Sequence, residues 1–152
     1  MMEKDGAVKI STKGRYGLRT LMDIATHQSQ GAVTLNDIAK RQRISVKYLW
    51  QVINPLKTAG FLNVTRGAKG GYMLAKRPDE IDLFEIVKTL EGDVSLVDCL
   101  RKDATCEQWN ACVARLVWLD VSQAVEQALK KITLSDVLKR CEGTGAVNNY
   151  VI

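Results

Sequence analysis

The chain has a single histidine, His27, among 152 residues, and no uninterrupted apolar run approaches the ~18 residues of a membrane span. Neither end reads as a secretory leader, so a cytoplasmic protein with no membrane partner is expected. Cysteines are few, four in all. In a reducing compartment disulfide stapling is the weaker reading of them, and metal binding or thiol redox chemistry the stronger. Ligand pairs two to four residues apart, favoured by structural zinc, are missing. With one distant histidine, a zinc site also lacks an obvious fourth ligand. No nucleophile is paired by sequence with a base, so an enzyme is not expected.

What is present points elsewhere. A hydrophobic fraction of 46% and a charged fraction of 26% suit a soluble domain with an added arm. The net charge of +5 conceals an asymmetry: residues 1–80 hold 14 Lys/Arg against 6 Asp/Glu, whereas residues 81–152 hold 8 against 11. The basic half is the candidate polyanion surface.

Residues Met1 to Ala7 read as a frayed end. Ser11 or Thr12 can cap a first helix carrying Tyr16, Leu18, Leu21, Met22 and Ile24, ending near Gln28. A second helix runs from Thr34 or Leu35 to Arg41, and a turn leads to Ser45, the N-cap of a third through Tyr48, Leu49, Val52 and Ile53. Pro55 predicts a kink or restart there, and Gly60 a stop. Phe61 to Lys76 reads as two short strands around a glycine-rich turn. Helix, helix, helix and hairpin in this order predict a winged helix-turn-helix over residues 1–80, a mainly α fold with a small β-hairpin wing. Residues 81–112 hold a linking helix from Leu83 to Leu90 and a cysteine-bearing loop. Residues 113–152 hold a long amphipathic helix with apolar positions from Val113 to Ile132, a short helix capped by Thr133, and a tail ending in Tyr150-Val151-Ile152. The long stripe has to be buried, and a partner copy is the expected cover; the tail is expected to dock on the body.

In a helix-turn-helix the early residues of the second motif helix face the major groove. Here these are Ser45, Val46, Lys47, Tyr48, Trp50 and Gln51. Gln51 suits adenine, Lys47 a guanine or phosphate, and Tyr48 is divided between core and contact roles. Trp50 follows buried Leu49 and is expected to face outward as a contact. At the hairpin tip Arg66 and Lys69 are placed for a narrow, negative minor groove. Lys13, Arg15 and Arg19 are expected to neutralise phosphates.

Cys99, Cys106 and Cys112 crowd one loop, separated by six and then five residues. Thiolates select zinc, copper(I) or iron–sulfur clusters. The gaps favour wrapping a larger group, so a cluster leads; a thiol redox switch, a zinc site and inert cysteines stay open.

Lys9-ISTKGRYGLR, Ser45-VKYLWQ, Arg66-GAKGGY, Leu90-Glu91-Gly92 and Thr133-Leu134 together resemble the iron–sulfur regulator family that includes IscR, NsrR, RirA and CymR, over roughly residues 8 to 140. The resemblance implies a homodimeric bacterial winged-helix regulator, repressor or activator, on a pseudo-palindromic double-stranded DNA operator, its long helices crossing at the dimer interface. It implies that Cys99, Cys106 and Cys112 hold the cluster, [2Fe–2S] favoured over [4Fe–4S], and that Ser45, Lys47, Tyr48, Gln51 and Arg66 contact DNA. Three positions depart from the relatives. Arg115 stands where IscR has its histidine ligand, Arg15 where NsrR has an aspartate, and Trp50 where IscR has a glutamate. The fourth ligand is therefore open among Glu3, Asp5, Glu107, His27, Cys141 and an external thiol, an oxygen donor ranking first. A cluster-free thiol- or partner-controlled regulator resembling CymR is the alternative.

Overall fold

In the computed structural model, which describes residues 10–144, five of six α-helices begin on a side chain that accepts from the backbone N–H three residues on. Ser11 caps α1 (Thr12–His27), Thr34 caps α2 (Leu35–Gln42) and Ser45 caps α3 (Val46–Thr58). Strands β1 (Leu62–Thr65) and β2 (Gly71–Leu74) follow, then α4 (Leu83–Glu91) capped by Asp82. After the cysteine loop come α5 (Val113–Lys130) and α6 (Leu134–Gly143), the latter capped by Thr133. Each such cap is worth ~1 kcal/mol. Only α5 starts without one, on Cys112. The readings of Met1 to Ala7 and of the Tyr150-Val151-Ile152 tail lie outside the described residues.

The helices take the order and lengths the periodicity predicts, with one difference. At Pro55 the helix does not restart: α3 runs unbroken from Val46 to Thr58. Proline removes one backbone donor, but here it lies in the last turn, and its own carbonyl still accepts from Ala59 N–H at 2.9 Å.

The hairpin pairs Leu62 with Leu74 through Thr65 with Gly71 in antiparallel register. A third short stretch joins it. Val33, between α1 and α2, exchanges two backbone hydrogen bonds with Tyr72, at 2.9 and 2.8 Å. Gly71 allows this approach, since a Cβ there would stand 2.5 Å from the Val33 carbonyl oxygen. The wing is thereby fastened to the helical body rather than hanging from α3.

One core unites the helices other than α5. Leu21 and Ile24 of α1, Ile38 of α2, Leu49, Val52, Ile53 and Leu56 of α3, Ile86 and Leu90 of α4, and Leu134 of α6 are all buried in it. Helices α1 and α4 touch at Gly17, where a Cβ would overlap Leu90 Cδ1. Gly17→Val is accordingly expected to destabilise the fold by about 2 kcal/mol: overpacking of ~1–3 kcal/mol outweighs a propensity gain of ~0.5 kcal/mol. A lower urea midpoint at unchanged slope checks this; an unchanged midpoint rejects the close approach.

The segment between α4 and α6 leaves this core and returns to it. Leu83 N–H donates to Ile132 O and Leu134 N–H to Ile81 O, both at 2.8 Å, bridging Asp82 to Thr133. Between those anchors lie the cysteine loop and α5, which buries no residue within the chain.

Candidate nucleic-acid interface and thiol loop

Helix α3 has two unlike faces. Leu49, Val52, Ile53 and Leu56 point into the core, while Ser45, Lys47, Trp50 and Gln51 are exposed. Arg66 and Lys69 are exposed at the hairpin tip, and Arg15 is exposed on the first turn of α1, where its guanidinium donates to Thr12 Oγ1 at 3.2 Å. Lys13 is half-buried.

Tyr48 and Arg19 occupy a different setting. Tyr48 is half-buried and meets Tyr16 edge to face, ring centroids 5.7 Å apart. Arg19 lies over the other ring of that pair, 4.8 Å from the Tyr16 centroid. Its guanidinium donates to both the side-chain and backbone oxygens of Gln42, each at 3.0 Å. Gln42 in turn donates to Asp23 at 2.8 Å, and Arg41 grips the same carboxylate with Nε at 3.0 Å and Nη2 at 2.6 Å. The Asp23 side chain is 1% exposed. A buried carboxylate needs such partners, and its bonds hold the Arg41 guanidinium above its ordinary pKa. The result is a polar chain from α1 through the end of α2 to the first turn of α3. Nothing in the local sequence pattern announces Asp23 or Gln42 as members.

A second long-range contact ties α1 to the loop. Glu91, the last residue of α4, accepts from Ser11 N–H at 2.8 Å and from Ser11 Oγ at 2.6 Å. Ser11 simultaneously caps α1. One carboxylate at the base of the cysteine loop therefore holds the start of the helix that bears Lys13 and Arg15.

The loop itself is organised by charge. Arg101 sits among Asp93, Asp98 and Asp103, at 3.6 to 3.8 Å. Exposed pairs contribute little singly, but three carboxylates share this one cation. Hydrogen bonds from Ser95 hold the Asp93 carboxyl below its ordinary range, with Arg101 and Lys102 assisting. This anchor is present above the usual carboxylate range and is lost only as pH falls through the lowered value.

Cys99 lies half-buried in a 3₁₀ turn, Cys106 is exposed, and Cys112 is half-buried at the start of α5; all are free thiols. Among the described residues no three Cys, His, Asp or Glu side chains are gathered as a metal ion would need. The three thiols are accessible and soft, so they suit an iron–sulfur cluster in kind, and they are one short of four ligands. The loop has to draw in around any such group. Arg115, donor-only, cannot supply the fourth bond: its guanidinium stacks 3.9 Å from the Trp109 ring centroid, with Nε buried and unpartnered. His27 and Cys141 line a separate cavity of about 350 Å³ beside α1 and α6, which none of the loop thiols lines. Cys141 donates to Val137 O at 3.2 Å. Glu107 is exposed beside Cys106, and Glu3 and Asp5 lie outside the described residues.

Comparison with known proteins agrees on one family. A family model described as "Rrf2: Iron-dependent Transcriptional regulator" matches residues 10–140. Protein rrf2 of Nitratidesulfovibrio vulgaris is 39% identical over 132 residues, 87% of this chain and 88% of its own. The structure of CymR, the global cysteine regulator of B. subtilis, superposes with a TM-score of 0.71 at 37% identity, covering 87% of this chain and 97% of that one. IscR of T. potens gives a TM-score of 0.70 at 38% identity, covering 90% of each chain.

Proposed function

This chain belongs to the Rrf2 family of transcriptional regulators, and on that premise we propose that it binds double-stranded operator DNA as a homodimer. We further propose that an iron–sulfur cluster held by Cys99, Cys106 and Cys112 sets its affinity. The observation that carries the reading is the two-faced α3, apolar inward and polar outward, beside an exposed basic wing tip.

Lys47 and Gln51 meet base edges, and Ser45, at the helix start, supports a phosphate contact. Tyr48, braced by Tyr16, sets the pitch of α3 against α1. Lys13 and Arg15 neutralise phosphate; Arg19, with Nε and Nη2 held by Gln42, adds charge from behind. Arg66 and Lys69 reach the minor groove. Arg66→Ala is expected to weaken binding several-fold and to lower the slope of log affinity against log salt by about 1. Anisotropy titrations between 50 and 200 mM salt, a range in which roughly this dependence is resolved, check it; an unchanged slope removes Arg66 from the interface.

The dimer rests on α5. Val113, Val117, Val121 and Val125 recur every fourth residue and are all exposed. Such i+4 ridges interlock with a second copy at a crossing angle of about 50°, and a two-fold pairing uses the same patch twice.

A bound cluster supplies a redox- and ligand-sensitive group whose charge and presence can change. The loop residues hold it by three thiolates, [2Fe–2S] preferred by likeness to IscR, with an oxygen donor as the fourth ligand. Because the loop joins Glu91 to α5, its shape bears on both the α1 cap and the dimer helix. Anaerobic purification with visible spectroscopy, iron and sulfide quantification and Mössbauer spectra tests the cluster. Equal DNA affinity of loaded and cluster-free protein rejects the switch. A second reading, thiol- or partner-protein control without a cluster, is supported by the likeness to CymR. Colourless anaerobic protein decides for it.

A further inference from the structure

The outer face of α3 carries two large apolar side chains that the described residues leave substantially exposed. Val46 is 39% exposed and Trp50 is 43% exposed. Four residues apart on a helix, they are neighbours on one ridge. Lys47 and Gln51, with the same spacing, form the adjoining ridge. The surroundings identify the occupant. Residues 35–58 contain five Lys or Arg and a single acid, Asp37, so the surface around the apolar pair attracts a polyanion and disfavours a basic partner.

On the major-groove edge of duplex DNA, the thymine 5-methyl is the one apolar group offered for recognition. We propose that Val46 and Trp50 form an apolar reader of thymine 5-methyl groups, with Gln51 beside it available to adenine. The inference deepens the DNA-binding reading above and rests on it. Burial of one methyl against this patch corresponds to roughly a fourfold gain in affinity per contacted thymine. It also accounts for a tryptophan held in solvent on the helix least suited to it, since large apolar groups left exposed together mark contact sites.

The test begins with duplexes enriched by the full-length protein from a random-sequence pool. Each thymine of an enriched duplex is then replaced singly by deoxyuridine, which lacks only the methyl. At one or two positions the wild type is expected to bind about three- to fivefold more weakly. Trp50→Ala is expected to bind thymine and deoxyuridine duplexes alike at those positions, whereas Trp50→Leu, still apolar, keeps part of the preference. Val46→Thr, nearly isosteric, reduces it without disturbing the fold, checked by thermal melting. Wild-type indifference to every replacement, with enriched sequence still preferred over scrambled, overturns the methyl reader and leaves DNA reading intact. Retained discrimination in Trp50→Ala likewise overturns it. If the pool yields no enriched sequence and no retention at low salt, both readings fall together.

Discussion

Val121→Lys is expected to convert the dimer into monomers and to weaken operator binding by roughly 100-fold. Helix α5 contributes no buried residue to its own chain, and its valine ridge faces solvent at every fourth position. An exposed lysine there costs the monomer little, because surface substitutions away from packed features stay within about 0.5 kcal/mol. At a two-fold interface the same substitution enters twice. Two ammonium groups are then buried without partners, at several kcal/mol each, which the apolar contacts of a short helix pair do not offset. Loss of the dimer uncouples the half-sites, and such coupling is worth about 10² to 10⁴ in affinity. Sedimentation velocity reads the mass and anisotropy the affinity, with Val121→Leu as the control that keeps the ridge. A Val121→Lys protein that stays dimeric and binds normally removes α5 from the interface.

Cys106→Ala is expected to leave the anaerobically prepared protein without visible absorption, and to abolish any difference in DNA affinity between reconstituted and untreated samples. Cys106 is exposed, so alanine there costs the fold almost nothing. What it removes is one of three soft donors on a loop whose remaining donors, Cys99 and Cys112, cannot enclose a cluster by themselves. Cys141→Ala provides the contrast. That thiol is buried on α6 and bonded to Val137 O, so its loss costs stability and leaves the colour. Colour retained in Cys106→Ala, or lost in Cys141→Ala, reassigns the ligands.

The helices were legible because their signals are local. Ser11, Thr34, Ser45, Asp82 and Thr133 each accept from an amide three residues away, and the apolar spacing of α1 and α3 marks the faces they bury. The exposed side chains of α3 and the wing tip were readable for the same reason. The long-range polar contacts were not. Glu91 meets Ser11 across 80 residues of chain, and no periodicity links them. Asp23 looks like a polar interruption in an apolar helix until Arg41 and Gln42 close on it. Arg19, in the basic patch by composition, also gives two N–H donors to Gln42, a contact that no local pattern signals. Trp109 beneath Arg115 belongs to the same class, since only the folded loop brings ring and guanidinium together.

The bridge between Asp82 and Thr133 has a mechanical consequence. It fixes one end of α5 to the body, while the other end, at Cys112, has neither a side-chain cap nor a buried neighbour on its helix. A helix of 18 residues is about 27 Å long. With its pivot at Thr133, a tilt of ~10° sweeps the Cys112 end through about 5 Å, close to one helical pitch. Cys112 thus sits at the end of α5 farthest from its attachment at the Asp82–Thr133 bridge, where a given change of tilt produces the largest displacement.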